Sequence, residues 1–387
     1  MIWRQPGAGH SLPQTPDLAI GQDLNRDLRL DACRGVALWF IYLDHVPNNI
    51  CSWLTLTHYG FSDATELFMF VSGVTCALAY GKVRQLDGWF AVISHTLRRS
   101  WEIYAAFLIL TVTCVMIVYL VGADRFADVT NTRVFFEQPG EALFRAAILQ
   151  YRPVNTDVLP AFVLFHLCFA PLLWLLLKWP GATLAASLSL YTLVQLFGWN
   201  LPQWPKNPWF FNPLAWQFLV VLGAWWELGN GKLLRAWLAS RGAMILATTY
   251  LIVALLIALS WSIEPLDDLV PGWLARLIYP INKSDLDPLR LLHFLAIVLL
   301  IANLVPPDWK GLTTPVIRWA VRCGENSLEI YCAGVLLALC AEVLLEKVSG
   351  GPAMQVAASF AGVAVSIALA SLLTKIKIES RTQPKLF

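Results

Sequence analysis

The feature that most constrains this sequence is a succession of about ten apolar segments, each long enough to form a helix across a bilayer. Charged residues, Pro and Gly separate them. Only 14% of the 387 residues are charged and mean hydropathy is +0.59, whereas a soluble domain carries about 25% charged residues. We therefore predict an all-α polytopic membrane protein, a bundle of about ten transmembrane helices. The predicted spans are residues 33–51, 61–81, 101–122, 157–177, 181–198, 213–229, 243–263, 289–305, 326–345 and 353–374.

The apolar segments leave only short polar stretches at the two ends of the chain. We predict a single transmembrane domain over residues 31–374, a cytoplasmic N-terminal tail over 1–30 and a cytoplasmic C-terminal tail over 375–387. The segments on the same side of the membrane as the N-terminus contain more Lys and Arg than the segments on the other side. By the positive-inside rule, that side is the cytoplasm, and we expect both tails there. The N-terminal tail contains no apolar stretch of signal-peptide length, so the first span is expected to direct insertion.

Charge and cysteine content exclude several classes of partner. A formal net charge of +2, with dispersed basic residues, is not typical of a nucleic-acid-binding surface, so we expect no nucleic-acid partner. The eight cysteines lie almost entirely in apolar segments and form no CxxC pair. We therefore expect no disulfide framework, no metal site and no permanently bound cofactor. The partner that this composition predicts is the lipid bilayer.

The first span contains two ionisable residues that are spaced to share a helix face. Arg34 and His45 are 11 positions apart, which is close to three helical turns and about 16 Å along the axis. An ionisable side chain in lipid costs at least about 2.5 kcal/mol, so each needs a partner or a function. His45 is a catalytic candidate because imidazole titrates near neutrality. Its neighbour Asp44 is a second candidate, although it is rotated off that face.

Two further spans place ionisable residues at the same level as His45. Asp63 and Glu66 begin the second span with an i, i+3 spacing, and Arg290 and His293 begin the eighth span in the same way. The loop 52–60 is short, so the first two spans must be neighbours and a carboxylate of the second is expected to orient the imidazole. The alternative is that these charges only neutralise one another and pair the helices.

A cluster of basic residues is predicted at the opposite, cytoplasmic side. Lys82, Arg84, Arg98 and Arg99 flank residues 85–100, which are numerous enough for a helix on the membrane surface. Such a cluster is suited to the phosphates of an anionic ligand. The alternative is attraction to anionic lipid.

Several longer blocks of the sequence resemble the OpgC family, the osmoregulated periplasmic glucan succinyltransferases, within the wider class of multi-span membrane acyltransferases. The blocks occur in order between residues 26 and 345, and the spacing of Arg34 and His45 matches a motif of the wider class, in which both residues are regarded as essential. They are RDLRLDACRGVALWFIYLDHVPNN, LTHYGFSDATELFMFVSGVTCALAYG, FNPLAWQFLVVLG, KSDLDPLRLLHFLA and GENSLEIYCAGVLLA.

The resemblance implies a multi-pass enzyme of the bacterial inner membrane that O-acylates a periplasmic glucan. The implied donor is an acyl-CoA, most simply succinyl-CoA as co-substrate, and the acceptor is a glucan hydroxyl. Succinyl and acetyl both remain open as the acyl group, as do the glucan linkage, the hydroxyl modified and the oligomeric state, for which a homo-oligomer is one option.

For this reaction we hypothesise that His45 is the general base, with Glu66 or Asp63 fixing its tautomer and stabilising the imidazolium. A covalent acyl-His45 intermediate is an alternative. The free carboxylate of a succinyl group needs a cation when buried, and Arg290 is the candidate, with His293 second. The residues expected to hold the phosphates of coenzyme A are Arg34, Arg84, Arg98 and Arg99.

Two other functions compete with this hypothesis. A proton-coupled transporter of a small solute or glycan-related metabolite would also use ionisable groups inside the membrane. The sequence shows neither the internal repeat nor the inverted half-chains that are typical of secondary transporters. A non-enzymatic scaffold for glucan synthesis is a third option, but it gives the charged layer no role.

Overall fold

The computed structural model describes residues 27–205, 208–263, 266, 270–306 and 309–382. The predicted all-α class is confirmed: the described residues form helices, and the one β-bridge among them joins Pro202 and Pro208. Residues 1–26 of the expected N-terminal tail and 383–387 of the expected C-terminal tail lie outside the described residues.

Sixteen α-helices follow one another in the described residues, together with three short 3-10 helices at Ile50–Leu54, Leu56–His58 and Lys310–Thr313. The first eight are α1 (Leu28–His45), α2 (Ala64–Val121), α3 (Ala123–Val129), α4 (Arg133–Glu137), α5 (Pro139–Ala147), α6 (Val158–Leu167), α7 (Phe169–Lys178) and α8 (Pro180–Phe197). The others are α9 (Pro213–Glu227), α10 (Lys232–Leu238), α11 (Arg241–Ser262), α12 (Gly272–Ile278), α13 (Pro288–Leu304), α14 (Pro315–Glu325), α15 (Ser327–Lys347) and α16 (Pro352–Thr382).

Each predicted apolar segment coincides with helical residues, but the helices are divided differently from the spans. The second and third predicted spans lie in one helical run of 58 residues, α2, which also includes residues 82–100 between them. The run leaves helical geometry only at Gly88, whose φ of 81° and ψ of −172° suit a residue without a Cβ atom. The fourth predicted span is divided into α6 and α7, which are bent by 55° where Pro171 removes a backbone donor.

Fewer described helices qualify as membrane spans than the predicted ten. Five are long and apolar enough to cross a bilayer, namely α2, α8, α11, α15 and α16, and the bent pair α6 and α7 makes a sixth if it forms one span. Helices α9 and α13 fall short with 15 and 17 residues, and α1 carries several charged residues within its 18. The described part of the chain is therefore that of a helical membrane protein with five or six candidate spans.

Helix α1 packs against α14 at a distance that only glycine permits. A Cβ atom on Gly35 would lie 1.8 Å from the carbonyl oxygen of Ala320, and one on Gly324 would lie 2.0 Å from that of Asp31. Small residues let two helix backbones approach closely in a membrane bundle. This contact holds the helix that carries Arg34 and His45.

Helix α2 packs against α9 in the same manner. A Cβ atom on Gly73 would lie 2.1 Å from the carbonyl oxygen of Val220, and one on Gly223 would lie 2.3 Å from that of Phe70. Since the neighbouring atoms belong to backbone, rotation of a side chain cannot relieve either clash. The first half of α2, which begins with Asp63 as its N-cap, is thereby held in the bundle.

We expect Gly73→Val to destabilise the protein, because the added methyl groups must push α2 away from α9. Overpacking of a close contact costs about 1–3 kcal/mol, so thermal unfolding in detergent should occur at a clearly lower temperature. Gly81→Val is the matched control in the same helix, since a Cβ atom there meets no atom within 4 Å. Equal melting temperatures for the two variants would contradict the close contact.

Candidate active site

Helix α1 carries Arg34 and His45 towards its two ends, as their spacing predicts. Asp27 caps its start by accepting a hydrogen bond from the Arg29 amide at 3.0 Å. His45 is the last residue of the helix. We refer below to the Arg34 end and the His45 end of the bundle.

A cavity, here called the His45 cavity, lies at the His45 end. The helices α1, α2 and α15 line it together with the segments that precede α6, α9 and α13. The Nδ1 atom of His45 is buried and has no hydrogen-bond partner among the described residues. The polar and aromatic side chains that line the cavity with His45 are Thr65, Phe68, Asn155, Asp157, Phe210, Phe211, Lys283 and Tyr331.

The charged residue Asp157 in this cavity was not singled out by the sequence. Its Oδ1 accepts a hydrogen bond of 2.6 Å from Nε of the buried Arg152, whose guanidinium lies 4.9 Å from the ring of Trp209 and donates to Gln203. Arg152 thus fixes the carboxylate at the wall of the His45 cavity. No helical spacing signals this arrangement, because Arg152 and Asp157 lie in the irregular segment before α6, and Gln203 and Trp209 lie in the one between α8 and α9.

The start of α2 gives Asp63 and Glu66 a structural role. Asp63 is the N-cap and accepts a hydrogen bond of 2.8 Å from the Thr65 amide, while Glu66 Oε2 accepts one of 2.9 Å from the Asp63 amide. This reciprocal arrangement is a capping box, which satisfies two amides that the first helical turn leaves free.

The remaining carboxylate oxygens form a buried group of ion pairs, here called the ion cluster, made of Asp63, Glu66, Lys283 and Arg290. Arg290 Nη2 lies 2.6 Å from Glu66 Oε1 and 3.0 Å from Asp63 Oδ2, and Lys283 Nζ lies 2.6 Å from that same Asp63 oxygen. The expected meeting of Asp63, Glu66 and Arg290 therefore occurs. All four carboxylate oxygens contact groups other than His45, so neither residue orients the imidazole through a direct hydrogen bond here.

Two more predicted site residues bind the segment that joins α1 to α2. The carboxylate of Asp44 accepts hydrogen bonds from the hydroxyl groups of Thr55 at 2.6 Å and Thr57 at 2.7 Å. His293 is buried, and its Nδ1 lies 2.7 Å from the Ser62 hydroxyl oxygen. Neither Asp44 nor His293 is among the residues that line the His45 cavity. Their catalytic and substrate-binding roles stay predictions.

A second cavity, here called the basic cavity, lies at the Arg34 end. Arg98 and Arg99 pair with Glu102 at 3.1 and 3.0 Å, and all three line this cavity together with Arg34. Arg84 lies elsewhere: its guanidinium is 5.4 Å from the centre of the Trp89 ring, and it does not line the basic cavity.

The histidine His166 also lines the basic cavity. Its Nδ1 lies 2.9 Å from the Phe162 carbonyl oxygen and therefore carries the proton, which leaves Nε2 as an acceptor 3.6 Å from Cys76 Sγ. This hydrogen bond to the backbone of its own helix is typical of a histidine with a packing role. The exposure of this ring to the cavity could not be inferred from an isolated histidine within an apolar segment.

A middle cavity lies between the other two and shares lining residues with both. Arg34, whose Nη2 donates a hydrogen bond to Ser327 Oγ, lines the middle cavity and the basic cavity. Phe68, Val158 and Tyr331 line the middle cavity and the His45 cavity. Three adjoining cavities thus follow α1 from Arg34 to His45.

We expect Glu66→Gln to lower stability strongly, because Arg290 would lose the nearer of its two carboxylates and keep only Asp63, which Lys283 shares. Removing one partner of a buried ion pair costs about 3–5 kcal/mol. The side chains of Arg290 and Glu66 are 10% and 0% exposed, whereas those of the control pair Arg145 and Glu141 are 32% and 41% exposed. Glu141→Gln should therefore cost less than about 1 kcal/mol.

Thermal unfolding in detergent measures both effects. A double variant, Glu66→Gln with Arg290→Leu, should recover part of the loss because Asp63 and Lys283 still compensate each other. If Glu66→Gln unfolds at the same temperature as Glu141→Gln, the ion cluster does not carry the stability assigned to it.

Comparison with known proteins gives one match. The family model described as OpgC protein matches residues 26–378, which is nearly the whole chain. No curated protein and no solved structure matches the chain. The match confirms the resemblance drawn from the sequence blocks. The chain therefore belongs to the OpgC family, an acyltransferase family whose activity concerns glucans.

Proposed function

We propose that this protein transfers a succinyl group from cytoplasmic succinyl-CoA onto hydroxyl groups of a periplasmic glucan, with His45 as general base. One observation carries the proposal. The imidazole of His45, with its buried and unpartnered Nδ1, lines the His45 cavity. The middle cavity adjoins both this cavity and the basic cavity, which contains three arginines. Family membership supports acyl transfer that concerns glucans. The donor, the direction and the base belong to the proposal.

In this proposal the Arg34 end faces the cytoplasm and the His45 end faces the periplasm of a bacterial inner membrane, with both termini in the cytoplasm. The distribution of Lys and Arg along the sequence supports this orientation. Acyl-CoA is made in the cytoplasm, whereas the glucan lies outside. The three adjoining cavities are suited to let donor and acceptor meet within the bundle.

The basic cavity is the proposed site for the phosphates of the donor. The guanidinium groups of Arg34, Arg98 and Arg99 provide fork-shaped donors that suit phosphate oxygens. The pantetheine arm would then extend through the middle cavity, between Phe68 and Tyr331, and bring the thioester to His45. Arg84 remains a candidate for a more distant phosphate contact.

The acceptor is proposed to enter the His45 cavity from the opposite side. Asn155 and Asp157 supply polar groups for sugar hydroxyls, and Phe210 and Phe211 supply apolar faces. His45 removes the proton from one hydroxyl as its oxygen attacks the thioester carbon. The new carbon–oxygen bond forms, the carbon–sulfur bond breaks, and the imidazolium returns the proton to the coenzyme A thiolate. A covalent acyl-His45 intermediate is the alternative route.

We expect His45→Gln to reduce transfer by about 10² to 10⁴, the usual contribution of a general base. The measurement is release of free thiol from succinyl-CoA by purified protein in detergent when glucan is added. His58→Gln is the matched control, because His58 lies outside the cavity, stacked on Trp53 with ring centres 4.5 Å apart. A folded His45→Gln protein with near wild-type transfer would exclude His45 as the base.

The same assay separates the proposal from transport. A transporter or a scaffold releases no thiol from acyl-CoA in detergent, since neither breaks a thioester. Thiol release that depends on added glucan is therefore the expected result for the wild-type protein, and its absence would contradict acyl transfer.

We expect Arg98→Gln combined with Arg99→Gln to raise the KM for succinyl-CoA more than it changes kcat. Loss of about 1.4 kcal/mol of phosphate binding corresponds to a tenfold change in affinity. A succinyl thioester of N-acetylcysteamine, which has no phosphate, provides the control and should show an unchanged KM. Equal effects on both donors would place the phosphates elsewhere.

A further inference from the structure

The cation that reaches the proposed reaction centre is Lys283. It is the only Lys or Arg among the described residues that line the His45 cavity, and its side chain is 34% exposed. One contact of 2.6 Å joins Nζ to Asp63 Oδ2. An ammonium group has three N–H donors, so two remain for a ligand in the cavity.

Arg290, the cation expected from the sequence, is arranged differently. Its Nε and Nη2 donate to Glu66 and Asp63, its side chain is only 10% exposed, and it does not line the His45 cavity. Its charge is therefore used within the ion cluster. Lys283 is the member of the ion cluster that lines the His45 cavity.

The start of α9 holds the backbone next to Lys283 in place. The carbonyl oxygen of Ser284 accepts hydrogen bonds from the Asn212 amide at 3.1 Å and from Trp216 Nε1 at 3.0 Å. The side-chain amide of Asn212 also donates to Asp285 Oδ1 at 2.8 Å. A backbone held at the two positions after Lys283, with the ammonium fixed by Asp63, is preorganised for binding.

Each carboxylate that contacts Lys283 or lines the His45 cavity has a cation partner. Asp63 and Glu66 are matched by Lys283 and Arg290, and Asp157 is matched by Arg152. An acyl group with a free carboxylate would bring an additional negative charge into this low-dielectric site, where an uncompensated charge is costly. Charge-assisted hydrogen bonds from the two remaining Lys283 donors offset part of that cost for a carboxylate, and they give no such advantage to an acyl group without one.

We propose that Lys283 binds the free carboxylate of the transferred acyl group and makes the site selective for a dicarboxylic acyl donor. This inference rests on the proposed acyl transfer and assigns the specificity of the same site. Lys283 lies beside the base rather than beside the phosphates, so it acts on the acyl group of the donor.

The test compares succinyl-CoA with butyryl-CoA, which has the same four-carbon chain but no carboxylate. The wild-type protein is expected to prefer succinyl-CoA. Lys283→Met should lower kcat/KM for succinyl-CoA by about tenfold to a hundredfold, the range for a lost hydrogen-bonded charge, and change that for butyryl-CoA by less than about twofold. Lys283→Arg should retain part of the preference.

Arg276→Gln is the matched control, because it removes a positive charge from exposed α12 without touching the cavity. It should leave both donors unaffected. If Lys283→Met lowers stability because Asp63 loses one of its two cations, a double variant with Asp63→Asn keeps an N-cap oxygen and removes both charges. The ratio of the two donors is then measured in that double variant.

The outcomes distinguish this inference from the function on which it rests. An unchanged ratio in a folded Lys283→Met protein overturns the inference, and a ratio lost only in Arg290→Leu returns the role to Arg290. An equal fall for both donors also overturns it, because Lys283 would then act on the carbonyl oxygen common to both. If the wild-type protein releases no thiol from either donor, the proposed function itself fails.

Discussion

A charge inside an apolar helix bundle needs a compensating partner, and the His45 end of this protein is organised around that constraint. Asp63 and Glu66 cap α2, and their remaining oxygens bind Arg290 at the start of α13 and Lys283 on the segment before it. Removing one member would leave another buried charge unpaired, at a cost of several kcal/mol. The same four residues thus join α2 to α13 and place the ammonium group of Lys283 in the His45 cavity.

Much of the fold follows from the sequence, because an apolar segment in lipid must satisfy its backbone hydrogen bonds internally and therefore forms a helix. Every predicted segment is helical, and the family resemblance is confirmed. The sequence did not predict that α2 continues through the polar residues 82–100. The only residue of this run outside helical geometry is Gly88, where the helix is kinked. The break between α6 and α7 at Cys168, three residues before Pro171, was also not predicted.

The candidate site could be predicted only in part. Spacing along a helix and short loops place Asp63, Glu66 and Arg290 at one level, and the structure brings them into contact. Spacing does not choose partners, however, so the expected bond from a carboxylate to His45 is replaced by bonds to cations. Asp157 and Lys283 reach the cavity from loops, whose positions depend on contacts between residues far apart in the sequence.

The junction between the middle cavity and the His45 cavity consists of Phe68, Val158 and Tyr331. The Tyr331 hydroxyl is bonded to the Asn155 carbonyl oxygen at 2.6 Å, so the side chains facing the junction present mainly hydrocarbon. A hydrophobic constriction in a membrane protein can expel water and act as an electrical barrier. In the proposed acyl transfer, such a junction would admit the thioester arm of the donor while it limits the passage of protons and ions.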